Sequence, residues 1–176
     1  MKTKKTEAII LARRPFKEKD LLVDLFSPTL GRCRAVAKSA VGLKSRLHGK
    51  CEPTSVADVI VYKGAGLYTL IEANTTKSHD TLRGSFNAIS VASHLLTIIQ
   101  KATTEHQANP PLFAILERSL SELDGQNIDL NRIRLWFYTA FLKAEGVYET
   151  PITTEAQFFT AFEAYTGMSL VRPLLI

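Results

Sequence analysis

Along the first 77 residues, apolar positions recur with a period of two or in short runs, and glycine, proline or serine punctuates them. Such a pattern predicts short strands separated by turns. Residues 6–12 are apolar with β-branched members, and residues 21–26 are similar. In residues 32–37, Arg32, Arg34 and Val36 alternate with Cys33, Ala35 and Ala37, which gives a strand one polar and one apolar face. Residues 56–63 and 67–75 are the fourth and fifth strands, joined by Gly64-Ala65-Gly66, whose glycines can adopt the positive φ of a tight hairpin. Ser27-Pro28-Thr29-Leu30-Gly31 makes the turn between strands two and three.

From Asp80 onward the period lengthens to about 3.6. Leu82, Phe86, Ile89, Ser93 and Leu96 mark one helical face, with Asp80 as the N-cap. Asn109-Pro110 opens a second helix carrying Leu112, Phe113, Leu116, Leu120 and Leu123, which stops at Gly125. Asp129 caps a third with Ile133, Phe137, Ala140, Phe141 and Ala144 inward, and Thr154-Glu155-Ala156-Gln157 has capping-box form before a fourth. The fold class is therefore α+β. A five-stranded OB-fold β-barrel over residues 1–78 precedes an all-α helical domain over residues 79–176, with an SH3-like barrel the alternative for the first part.

Charge divides along the same line. Residues 1–77 hold 15 Lys and Arg against 7 Asp and Glu, whereas residues 78–176 hold 7 against 10. A basic front suggests a polyanionic partner. No apolar run reaches the ~18 residues of a membrane span, and the apolar stretch at residues 8–12 is too short for a signal peptide. With Cys33 and Cys51 the only thiols, neither a disulfide framework nor a four-cysteine zinc site can form, and a reducing cytoplasm is the expected setting.

Enzyme signatures are lacking: there is no P-loop, no GxSxG and no HExxH, and His48 with Cys51 is the one close pairing of base and nucleophile. The histidines at 48, 79, 94 and 106 have no ligand spacing, so no catalytic residue, metal or cofactor is expected. The basic residues carry more. Arg32 and Arg34 project from one side of a strand just before a 16-residue connection, residues 38–53, which contains Lys38, Lys44, Arg46 and Lys50. Arg13, Arg14, Lys17 and Lys19 extend the track between the first two strands. Lys and Arg heads that neutralise successive phosphates release counterions, giving sequence-tolerant, salt-sensitive binding. Phe16, Phe26, Tyr62 and Tyr68 are the rings of this half, and packing is the expected role of all four. Trp136, Phe137, Tyr138 and Phe141 encircle their helix, which points to burial or a partner groove.

The residues from Thr6 to about Thr76 resemble the recombination mediator family RecO of bacterial DNA repair. The resemblance is carried by Thr6-Glu7-Ala8-Ile9-Ile10-Leu11, Asp20-Leu21-Leu22-Val23, Gly31 to Lys38, Lys44-Ser45-Arg46-Leu47, Glu52-Pro53 and Tyr62 to Leu70, in that order and spacing. It implies an OB-fold, binding of single- and double-stranded DNA, and strand annealing. With the partner RecR, it also implies loading of the recombinase RecA onto DNA coated by single-stranded-DNA-binding protein. By position, Arg32, Arg34, Lys38, Lys44 and Arg46 would meet phosphates, and Arg132 and Arg134 would lie near the docking place of the coating protein's acidic tail. Where family members often carry further arginines, this chain has Val41, Gly42 and Leu43, and the family's frequent zinc site is not expected. An RNA-binding OB module and an adaptor docking acidic protein tails are the competing expectations.

Overall fold

The computed structural model describes residues 3–64, 66–147 and 152–173; Ala65, at the centre of the glycine-flanked hairpin turn, falls outside them. Five strands, β1 (Thr3–Pro15), β2 (Leu21–Ser27), β3 (Gly31–Ala37), β4 (Val56–Lys63) and β5 (Tyr68–Lys77), precede five helices. The strands close into a barrel in the order β1-β2-β3-β5-β4, antiparallel throughout except for the β3–β5 pair. This is the OB-fold. Closure depends on β1, which at 13 residues is long enough to pair with β4 through its first half and with β2 through its second, bending at a register shift between Ile10 and Ala12.

Period-two alternation fills the interior. Ala8, Ile10, Val23, Leu25, Cys33, Ala35, Ala37, Val59, Val61, Tyr68 and Leu70 point inward, all but excluded from solvent. Tyr68 therefore belongs to the core, while Phe16 is exposed, so packing does not explain all four rings. Phe26 is fully buried but on the outside of the barrel, its ring 6.1 Å from that of Phe113. Gly31, in the β2–β3 turn, takes the left-handed conformation at φ +67°.

The connection 38–53 is an ordered chain of turns. Backbone bonds from Gly42 to Ser39, Ser45 to Gly42, His48 to Ser45 and Lys50 to Leu47 fold it, and Ala40, Leu47 and Cys51 insert into the barrel core. Fully burying a side chain such as Leu47 is worth about 1.5–3 kcal/mol, enough to hold the turns down and lift the intervening Lys and Arg into solvent.

Two compact units result. One holds the chain up to Ser78 together with Thr103–Phe113; the other holds His79–Ala102 and the chain from Ala114 onward. The helices are α1 (Asp80–Gly84), α2 (Phe86–Ala102), α3 (Pro110–Leu123), α4 (Leu130–Ala144) and α5 (Glu155–Thr166). Asn109 caps α3 by accepting from the Leu112 amide at 3.1 Å, Asp129 caps α4, and Thr154 with Gln157 forms a capping box on α5. Two expectations are corrected. His79, not Asp80, is the N-cap of α1, and α2 buries Ala88, Val91, Ala92, Leu95, Leu96, Ile98 and Ile99 while Phe86 and Ser93 face solvent. A break at Ser85 between α1 and α2 resets the helical phase, so a face extrapolated from Leu82 runs out of step.

Candidate functional site

Strand register gathers the basic residues. Leu21, the first residue of β2, stands beside Pro15 of β1 and Ala37 of β3, so the β1–β2 connection and the start of the 38–53 turns emerge at one end of the barrel. Two hydrogen bonds tie them: the Ser39 amide donates to the Asp20 carboxylate at 2.8 Å, and the Val41 amide donates to the Lys19 carbonyl at 3.2 Å. Arg13 forms an ion pair with Glu52, which brings the far end of the turns to the same place. Arg14, Lys17, Lys19, Lys38, Lys44 and Arg46 are exposed there, and Lys50 is half-buried. The Lys17 ammonium lies 5.7 Å from the centre of the Phe16 ring.

Arg32 and Arg34 have a different setting. They occupy the outer face of β3, opposite Phe26 and Asp24 of β2, and residues 103–113 run along that face. Arg32 donates to the Thr103 carbonyl at 3.2 Å, its own carbonyl accepts from the His106 amide at 2.8 Å, and its guanidinium is 3.6 Å from Glu105. Arg34 reaches the same carboxylate at 3.0 Å. Two positive charges thus meet the Glu105 carboxylate, with Asp24 of β2 opposite Arg34, and these two carboxylates offset the charge of the pair. Gly31 admits this crossing because a Cβ there would stand 2.0 Å from the Gln107 carbonyl oxygen. Glu105 and its segment gave no signal in the sequence, because a contact across some seventy residues has no periodicity.

In the helical unit, Arg132 is 68% exposed and 3.6 Å from Glu122, whereas the Arg134 side chain is 10% exposed and binds Glu155 at 2.8 Å and Asn131 at 3.2 Å. Solvent reaches Arg132; Arg134 serves the interior. His94 is buried there too and hydrogen-bonds the Tyr138 hydroxyl at 2.9 Å. Trp136 is partly covered, with the Arg118 guanidinium 4.4 Å from its ring centre. Burial pushes the thiol of Cys33 up to about 12 and that of Cys51 up to about 11, so both stay protonated, and non-nucleophilic, at neutral pH. Among the described residues no group of three His, Cys, Asp or Glu side chains is placed to hold a metal, and no helix is long and apolar enough to cross a membrane.

Residues 1–79 match the family described as Recombination protein O N terminal, and residues 83–148 match Recombination protein O C terminal. The chain belongs to the RecO family. A DNA repair protein RecO of Alkaliphilus metalliredigens is 31% identical over 81% of the chain and 58% of its own length. Those of a Thermoanaerobacter species and of Clostridium novyi are 32% and 30% identical, covering 73% and 81% of this chain and 52% and 56% of their own. The chain spans about half the length of these curated relatives. Within the RecO family match lie all the basic positions described above.

Proposed function

We propose that this chain is a DNA repair and recombination mediator that binds DNA through backbone charge and brings strands together without breaking covalent bonds. The observation that carries the reading is the convergence of Arg14, Lys17, Lys19, Lys38, Lys44 and Arg46, exposed, with Arg13 and the half-buried Lys50, at one end of an OB-fold barrel. Cations so grouped neutralise consecutive phosphates, and the lowered repulsion lets two complementary strands occupy one surface. Arg32 and Arg34 extend the basic surface beyond that end with their charge offset by Glu105 and Asp24.

The same reading extends to the partners. Single- and double-stranded DNA meet the barrel; the acidic tail of single-stranded-DNA-binding protein meets the helical unit through the solvent-reached Arg132; RecR joins the complex, and RecA is served indirectly. Family membership and charge placement support this assignment, and neither supplies chemistry for an enzyme.

The test is a titration of labelled single strands at several salt concentrations. Log affinity should fall linearly with log salt, with a slope of about −0.7 per phosphate contacted. A flat line would remove the reading, and equal affinity for RNA of the same sequence would shift it to a general polynucleotide binder.

A further inference from the structure

Between the cations of the barrel end lies a pocket of about 440 Å³, within the ~300–1,000 Å³ range of small-molecule sites. Pro15, Leu21, Ala40 and Val41 supply its apolar walls, and Arg13, Arg14, His48 and Glu52 its polar edge. From this we infer that the pocket seats one unpaired nucleobase of a single strand whose phosphates run over the surrounding Lys and Arg side chains; the inference rests on the proposed DNA binding and gives it a substrate preference.

The lining decides between a base and a phosphate. Glu52 is among the lining residues and its carboxylate is paired with Arg13, which leaves that guanidinium less charge to offer an anion. Guanidinium beside carboxylate instead presents donors next to an acceptor, as the edge of a base requires. Apolar walls receive the flat faces of a base and do nothing for a phosphate. The chain neighbours of the lining residues have the same character. Val41 is 53% exposed, Leu43 in the same run of turns is 87% exposed and Phe16 is 40% exposed, all three among cations. Apolar side chains held open to water beside positive charge offer surfaces on which the already unstacked bases of a single strand can rest, whereas a duplex would first have to be unstacked to reach them.

The experiment compares, with the full chain, a deoxythymidine 20-mer and a 20-mer abasic phosphodiester carrying the same charge. The expected result is roughly tenfold weaker binding of the abasic strand with the same salt slope. Equal affinity overturns the base pocket while leaving backbone binding intact; absence of salt-dependent binding by either strand instead overturns the proposed function. Val41→Asn, which removes an apolar wall without changing charge at a half-exposed position, should weaken binding of the deoxythymidine strand and spare the abasic one. A ratio unchanged in that variant, with its thermal unfolding unchanged, refutes this location, and Glu52→Gln gives a second reading at the polar edge, where lost discrimination supports the site and retained discrimination counts against it.

Discussion

Glu105 is one residue with two clients. Its carboxylate lies 3.0 Å from Arg34 and 3.6 Å from Arg32, on the outer β2–β3 face that OB-folds commonly turn toward oligonucleotides. All three side chains retain partial exposure, so the pairs themselves contribute little stability; their larger effect is on the charge offered to a ligand. Glu105→Ala should therefore tighten single-strand binding and steepen the log–log salt slope by about 0.7 for each phosphate gained. A slope and affinity identical to the parent's would mean that Arg32 and Arg34 meet no phosphate. Alternation along β3 is enough to show that these two arginines share a face. That Glu105 reaches both of them could not be read, since it arrives from residues 103–113, about seventy positions along the chain, rather than from the paired strand that supplies Asp24.

At the scale of elements, α2, α4 and α5 are joined by a buried polar chain, His94 to Tyr138 at 2.9 Å and Tyr138 to Glu155 at 3.3 Å, with Glu155 also holding Arg134. Burial lowers the pKa of His94 to about 4; Arg134 reinforces that shift, while Glu155 and a bond to the Val171 backbone oppose it. Above the ordinary histidine value of ~6.5 the imidazole is neutral in both folded and unfolded chains. As pH falls below that value the unfolded chain takes up its proton first, so stability declines until the folded pKa is passed, by up to about 1.4 kcal/mol per pH unit. Denaturant midpoints between pH 6.5 and 5, a window above most carboxylate titrations, should fall for the parent and more shallowly for His94→Asn; parallel curves would show that His94 is not the group responsible. Helix caps at Asn109, Asp129 and Thr154 were legible because a cap is a local event within four residues. The buried face of α2 was not, because one non-helical residue at Ser85 rotates everything after it.

For the whole molecule, the division of charge into a basic front and an acidic back predicts where DNA lies. Arg46→Glu and Arg132→Glu change the net charge equally, and both residues are exposed. Only the first should reduce the salt slope for single strands. An equal reduction by both would place DNA on the helical unit as well, and a reduction by Arg132→Glu alone would reverse the assignment of the two halves.

The amino-acid sequence by itself determined the strand count, the caps at Asn109, Asp129 and Thr154, the barrel followed by helices and the family, because each follows from periodicities and spacings of a few residues. Tertiary structure alone decided which cations stay free and which are held, that Arg13, Leu21, Val41 and Glu52 line one pocket, and that residues 103–113 cross the outer face of β3. Closing a barrel brings distant segments together at distances over which charges neutralise each other, and one-dimensional spacing contains no record of that proximity.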